Sequence, residues 1–183
     1  MSQTFLTAKE QAVRVVRYQW IEKTLFSLLG SWVLTVQEPE IKIFLSESSL
    51  EYGSHAQLLS GRLWANYEPF EQHFPPAIPT VIKFFEFING ADNISTIEKI
   101  SSIYRVFLPR LIATYKIHLE LGFEISEGPL LKVLRLIIVN ELENWQKGEF
   151  LLQSLLISPK HIQEAGAFQL SLETLLVQGG SLV

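Results

Sequence analysis

One stretch of the chain, residues 44–64 (FLSESSLEYGSHAQLLSGRLW), places a histidine beside two groups with which it could share chemistry. At helical spacing His55 falls on the same stripe as Tyr52, one turn earlier, and Glu51 lies next to Tyr52. A carboxylate and an imidazole one turn apart can bind the same metal ion, whereas a lone histidine on an apolar face is more often a hydrogen-bonded core residue. The spacing therefore predicts either a metal ligand or a core histidine at position 55.

Two glutamates in other predicted helices also fall on apolar stripes. Glu22 lies in the seam of the first helix, and Glu141 follows an apolar run in the fourth. An unpaired carboxylate in an apolar interior is costly, so such a residue usually has a partner. For Glu22 the partner is either an arginine or tyrosine of a neighbouring helix or a metal ion.

The third predicted helix carries tyrosines where a metal centre would call for a carboxylate. Tyr104 and Tyr115 occupy its inward stripe, which continues to His118. Two tyrosines at this spacing are more typical of core residues with satisfied hydroxyls than of radical or ligand sites. We therefore assign both to the core.

Capping patterns define the helices that would position these residues, and they predict an all-α chain. Thr7–Glu10 and Ser95–Glu98 have the capping-box pattern, and prolines mark the first turns of other helices. The first predicted helix covers about residues 8–36, the second runs from 38–40 to about 64, and the third begins at about 95. The fourth covers about 126–157, and the fifth covers about 159–178, before Gly179 and Gly180. Pro109 predicts a kink in the third.

Prolines interrupt the helical pattern between the second and third long helices. Pro69, Pro75, Pro76 and Pro79 exclude one continuous helix, although residues 80–89 (TVIKFFEFIN) can form a short one before a glycine. An antiparallel helix pair needs only a short loop, so a connection this long predicts a crossover that packs along a bundle.

Composition excludes several classes of function. The 183 residues fit one domain, and 48% hydrophobic against 19% charged residues is the composition of a chain with a large core. A net charge of −4 without a dense basic run argues against nucleic-acid binding. The lack of cysteine excludes disulfides, thiolate metal sites and cysteine nucleophiles. Neither a secretory signal nor a membrane span is predicted, so we expect a cytoplasmic protein with no membrane partner.

Four segments and the polar residues within them resemble the ferritin-like superfamily, in particular an uncharacterised bacterial group. The segments are YQWIEKTLFSLLGSW, EYGSHAQLLSGRL, YRVFLPRLIATYKIHL and LRLIIVNELENWQKGEFLL, within about residues 10–157. The resemblance implies a four-helix bundle with a long crossover between helices 2 and 3, with a fifth, C-terminal helix added here. In intact members it implies a di-iron or di-manganese centre for O₂ chemistry.

The resemblance carries over only part of that centre. Glu22, His55 and Glu141 match ligand positions, but Tyr52 stands at the standard acid position and Asn144 replaces the second histidine. The third helix has no clear carboxylate. Asparagine is a poor ligand for iron beside carboxylate and imidazole. The resemblance therefore implies at most one iron or manganese ion, or none.

Two classes of function remain open. In the first, the metal centre has eroded, and the bundle binds a small apolar ligand, acts as a scaffold or forms a homodimer, around a central polar network. The residues of that network are Glu22, Tyr52, His55, Tyr104, Tyr115, Glu141 and Asn144. The changed ligand positions favour this reading.

In the second class, the protein is a non-haem oxidase or oxygenase. One iron or manganese ion would be held by Glu22, Glu51 or Tyr52, His55 and Glu141, with an open coordination position for O₂. A partner subunit that docks through the fifth helix is a third possibility.

Overall fold

The computed structural model describes residues 6–63, 77–90, 94–178 and 182, and within them the regular structure is entirely helical. The all-α prediction is confirmed for this part of the chain. The helices are α1 (Ala8–Trp32), α2 (Pro39–Ser60), α3 (Pro79–Gly90), α4 (96–121), α5 (Glu124–Leu155) and α6 (Pro159–Val177). Helix α4 consists of three consecutive segments, Thr96–Ser101, a π-helical Ser102–Phe107, and Leu108–Leu121.

The predicted helix starts are largely those of the structure. Thr7 and Ser95 each cap a helix, and the glutamate three residues later bonds back to the backbone N–H of the capping residue. Helix α5 is the exception, because it begins at Glu124 and leaves Pro129 inside the helix. Glu127 explains the earlier start, since its side chain accepts a hydrogen bond from the backbone N–H of Phe123, the residue before the helix.

Other predicted boundaries differ by a turn or less, or lie outside the described residues. Helix α1 ends at Trp32, before the predicted position 36, and α5 ends at Leu155, before 157. The α2 helix ends at Ser60. The short crossover helix is present as α3. Trp64, Pro69, Pro75, Pro76, Gly179 and Gly180 fall outside the described residues.

At the place where Pro109 predicts a kink, the chain adopts a π-helical segment. Pro109 has no N–H, so the carbonyl of Arg105, four residues earlier, loses its usual donor. The backbone widens just before this point, and the N–H of Leu108 bonds to the carbonyl of Ile103, five residues back. The widened turn sets the register between Tyr104 on its inner side and Tyr115 further along α4.

Side-chain pairs between the four long helices define how these run. Gly30 lies against Ser49 and Gly53 against Phe26, so α1 and α2 are antiparallel and closely packed. Other pairs link α1 with α4 (Glu22–Tyr115, Tyr18–His118), α4 with α5 (Arg105–Glu149, His118–Glu127) and α2 with α5 (His55–Asn140, Glu47–Lys147). Each of these pairs is also antiparallel. Helices α1 and α5 therefore each run opposite to both α2 and α4.

None of the helices in the described part of the chain combines the length with the apolar character that crossing a lipid bilayer requires.

Gly148 is the point at which α5 comes closest to the ring of Tyr104. A Cβ atom there would lie 2.3 Å from Cδ1 of Tyr104, whereas a Cβ at Gly166 of α6 would meet nothing within 4 Å. We expect Gly148→Ala to lower the free energy of unfolding by about 1–3 kcal/mol through overpacking. Gly166→Ala should raise it by about 0.5–1 kcal/mol through helix propensity. Urea denaturation of both variants checks this, and a Gly148→Ala protein as stable as the wild type would contradict it.

Candidate metal centre

Three titratable side chains from three helices meet in the core. Glu22 of α1, His55 of α2 and Glu141 of α5 are each no more than 1% exposed. His55 Nδ1 lies 3.3 Å from Glu22 Oε2 and 3.3 Å from Glu141 Oε1. One possible ligand atom from each residue lies within 4.8 Å of the other two. The stripe positions predicted from the sequence thus converge on one point, which we call the Glu–His–Glu cluster.

The facing atoms of the cluster lack hydrogen bonds. Glu22 Oε2, His55 Nδ1 and both carboxylate oxygens of Glu141 are buried without a hydrogen-bond partner, because their close approaches do not have hydrogen-bond geometry. Folded proteins pair nearly all buried polar atoms, and an unpaired one costs about 1–3 kcal/mol. Three of these atoms, one from each residue, approach one another, and this is the pattern that a bound cation would satisfy. The residues present fit a metal ion.

The protonation of the metal-free cluster follows from its burial. Burial, and then the charge of Glu22, raise the pKa of Glu141 to about 8. Burial alone would lower the pKa of His55, but its contacts with Glu141 and Glu22 outweigh this and raise it to about 10. At neutral pH the metal-free cluster therefore holds protons on His55 and Glu141, and a divalent cation would replace them.

Two neighbours orient the cluster from outside. The Tyr115 hydroxyl donates a hydrogen bond to Glu22 Oε1. On the other side, the amide nitrogen of Asn140 lies 3.2 Å from His55 Nε2. The amide oxygen and nitrogen of Asn140 can exchange places, so its oxygen can accept a hydrogen bond from the Nε2–H of His55 when Nδ1 binds a cation. Such a partner fixes the tautomer of a metal-binding histidine.

Glu51, which the sequence analysis included among the metal ligands, is not part of the cluster. Its Oε2 accepts a hydrogen bond of 2.5 Å from the amide of Asn144. Ser48 in turn donates to the amide oxygen of Asn144, over 3.2 Å. From its position one turn before His55, Glu51 could reach either the cluster or a neighbouring helix. Its side chain points to Asn144 of α5. Asn144 thus acts as the partner of a carboxylate and stands outside the cluster.

The two remaining tyrosines of the predicted network lie in the core without a hydrogen bond of regular geometry. Tyr52 and Tyr104 are fully buried, and neither hydroxyl makes a hydrogen bond of regular geometry. The groups beside them are the carboxylate of Glu141 for Tyr52 and the hydroxyl of Ser48 for Tyr104. Burial first, and then the nearby charge of Glu141, raise the pKa of Tyr52 well above 10, so it remains a phenol. Its ring stands perpendicular to that of His55, with centroids 6.2 Å apart. The Tyr104 ring packs against Phe44 and Gly148.

Comparison of the chain with family models, with curated proteins and with solved structures finds no match. A functional assignment therefore depends on the chemistry of the cluster.

The protonation of the cluster predicts how stability depends on pH without metal. Between pH 4.5 and about 8 for Glu141, and between 6.5 and about 10 for His55, the folded protein binds protons that the unfolded chain has lost. Stability should therefore fall with rising pH across the shared window of 6.5 to 8, by roughly 1 kcal/mol per pH unit or more.

Glu141→Gln should flatten this dependence, because it removes one of the two groups and weakens the hold on the other. Urea denaturation in a chelator at several pH values measures both proteins. Parallel stability curves for the wild type and the variant would contradict the assignment.

Proposed function

We propose that this protein binds one divalent transition-metal ion, iron or manganese, through Glu22, His55 and Glu141, at the centre of a ferritin-like four-helix bundle. The observation that carries the proposal is the set of three buried ligand atoms, one from each of three helices, that lie within 4.8 Å of one another and make no hydrogen bond of regular geometry. The antiparallel pairing of α1 and α5 with both α2 and α4 supports the bundle. In such a bundle α2 and α4 are parallel and need a long crossover, as the chain between them provides.

The donor set favours iron or manganese among the common metals. Two carboxylates and one imidazole balance the charge of a divalent ion and suit these metals, whereas thiolate ligands are absent from the chain. Three protein ligands leave coordination positions open. A metal ion bound there would supply oxidation–reduction chemistry with O₂, and we therefore propose an oxidase or oxygenase activity.

Other residues of the chain would orient the metal ligands and donate protons at the site. Tyr115 holds one oxygen of Glu22 and leaves the other directed at His55. Asn140 holds the far nitrogen of His55. Tyr52, buried beside His55 with its hydroxyl near Glu141, supplies a proton donor at the cluster. Apolar neighbours from all four helices exclude bulk water, which strengthens each of these electrostatic contacts.

The eroded bundle remains the second candidate, and the Ser48–Asn144–Glu51 network favours it. There the amide of Asn144 donates to the carboxylate of Glu51 and accepts from the hydroxyl of Ser48, at positions where a complete two-metal centre would have ligands. Under this alternative the protein binds a small apolar ligand or a second copy of itself, and its centre takes up no metal. The two candidates therefore differ in one measurable quantity, the metal content.

Protein purified without chelator and loaded anaerobically with Fe(II) or Mn(II) should hold about one ion per chain, a stoichiometry set by one three-ligand cluster. His55→Ala should lose that ion, because the variant leaves two carboxylates and no imidazole. His161→Ala is the matched control. His161 lies in the first turn of α6, away from the cluster, and its ring bonds to the backbone carbonyl of Leu155 at the end of α5. Elemental analysis and circular dichroism measure content and folding. Equal metal loss in both variants, or no metal in the wild type, would contradict the proposal.

Asn140→Ala should weaken metal binding by about 10–100-fold, the usual effect of removing the hydrogen-bond partner of a ligating histidine. Asn144→Ala, one turn further along α5, is the matched control because Asn144 bonds to Glu51 and not to the cluster. Its metal affinity should stay near that of the wild type. Competition between Mn(II) and a chelator measures the affinities. If Asn144→Ala weakened binding as much as Asn140→Ala, the proposed role of Asn140 would be wrong.

A further inference from the structure

A second buried polar cluster lies further along α1 and α5, with α4 in place of α2. The Tyr18 hydroxyl lies 3.0 Å from His118 Nδ1, and His118 Nε2 lies 3.2 Å from Glu127 Oε1. Tyr18 and His118 are fully buried, and Glu127 is 4% exposed. The other oxygen of Glu127 accepts the backbone N–H of Phe123 over 2.9 Å. One tyrosine, one imidazole and one carboxylate therefore form a continuous chain of hydrogen bonds across α1, α4 and α5.

The acceptor-only character of a carboxylate sets the direction of these bonds. Glu127 accepts from His118 Nε2, so the proton of the neutral imidazole is on Nε2 and Nδ1 is the acceptor. Tyr18 then donates its hydroxyl proton to Nδ1. Burial lowers the pKa of His118 below its usual 6.5, so the ring is neutral and able to accept a proton at pH 7.

Tyr18 also contacts the residue that bonds to the metal centre. Its ring meets that of Tyr115 edge-on, with centroids 4.8 Å apart, and the Tyr115 hydroxyl donates to Glu22. Two aromatic rings in contact thus connect the Glu–His–Glu cluster with the Tyr18–His118–Glu127 cluster. Electrons can pass over such a distance without any movement of the chain.

Tyr18 differs from the other tyrosines in the described part of the chain by the base beside it. Tyr52 and Tyr104 make no hydrogen bond of regular geometry. The acceptors beside Tyr52 and Tyr115 are the carboxylates of Glu141 and Glu22, which the proposed metal would occupy. A phenol that loses an electron becomes a very strong acid, so its oxidation at neutral pH is favourable only when a base can take the proton. Only the hydroxyl of Tyr18, among these, contacts a nitrogen base that has its own carboxylate partner.

We propose that Tyr18 is a redox-active tyrosine that gives up one electron through Tyr115 and its hydroxyl proton to His118. The electron passes to a one-electron oxidant, the oxidised metal ion of the Glu–His–Glu cluster, and the inference depends on the proposed function for that oxidant alone. The O–H bond of Tyr18 breaks and an N–H bond forms at Nδ1, which leaves a neutral tyrosyl radical beside an imidazolium. On reduction the electron and the proton both return to Tyr18.

The charges around His118 determine whether it can hold the proton. Glu127 stabilises the imidazolium from the Nε2 side, while the positive charge of Arg14, which acts on both Tyr18 and His118, opposes it. The cluster also joins three helices, so a purely structural role would preserve the same hydrogen bonds. Detection of the radical itself distinguishes a redox role from a structural one.

The test uses metal-free protein, oxidised by photogenerated tris(bipyridine)ruthenium(III) and frozen for electron paramagnetic resonance. Wild-type protein should give a tyrosyl radical with an exchangeable hydrogen-bonded deuteron in D₂O, and this deuteron should be the one on His118 Nδ1. A second deuteron is expected from Arg14, which also hydrogen-bonds to Tyr18. Tyr18→Phe should lose this signal, and His118→Leu should lose it too. Tyr104→Phe, which removes an equally buried hydroxyl that lies beside Ser48 and not beside His118, should keep it. Circular dichroism confirms that the variants are folded.

A tyrosyl signal that persists in Tyr18→Phe, or that disappears in Tyr104→Phe, would overturn the proposal. So would a wild-type radical without a hydrogen-bonded deuteron, since His118 would then not be its proton acceptor. Because no metal is present, these outcomes do not depend on the metal-binding test. Absence of metal from the loaded wild type would refute the proposed function while leaving the photochemical result for Tyr18 intact.

Discussion

The burial of two carboxylates against one imidazole is the constraint on which the rest of this structure depends. Glu22, Glu141 and His55 are removed from water in a core otherwise made of aliphatic and aromatic side chains. An isolated carboxylate there would cost several kcal/mol, and two in contact would repel each other as well. The fold can contain the two carboxylates because a positive charge between them, on a protonated His55 or on a cation, balances their negative charge. A bound divalent metal ion would compensate these costs, since it would contact the ligand atoms that have no hydrogen bond of regular geometry.

The helices serve this constraint in separate ways. The small residues between α1 and α2 bring Glu22 and His55 to contact distance, and the π-helical segment of α4 adjusts the register that brings Tyr115 to Glu22. Gly148 lets Tyr104 fill the space next to the cluster. Outside the centre, Arg105 and Glu149 form a two-fold hydrogen-bonded ion pair between α4 and α5. The site is thus held by rigid helices, which is where a metal ligand set is most precisely positioned.

The sequence predicted the burial of the cluster residues well, because burial follows helical periodicity. Glu22, His55 and Glu141 each fall on an apolar stripe, and each is buried. Helical periodicity does not predict where two neighbouring side chains on one helix face point. Glu51 and Tyr52 both lie about one turn before His55, and only the position of Asn144 on α5 shows that Glu51 turns away. That information depends on the register between two helices, which periodicity within one helix does not contain.

Asn140 and the Tyr18–His118 pair were missed for the same reason. Asn140 precedes Glu141 and so falls off the apolar stripe of α5, although its spacing of four from Asn144 is a signal that both face α2. Tyr18 precedes Glu22 by one turn in α1, and His118 lies on the predicted inward stripe of α4, but the two are 100 positions apart in the chain. Their contact appears only when α1 and α4 are placed antiparallel.

A crystal structure of the manganese-loaded protein, with anomalous scattering recorded on both sides of the manganese absorption edge, tests the metal centre most directly. The account predicts one anomalous peak, coordinated by Glu22 Oε2, His55 Nδ1 and a carboxylate oxygen of Glu141, with Asn140 bonded to His55 Nε2. A centre without an anomalous peak, in which hydrogen-bonded waters satisfy the same three atoms, would contradict it.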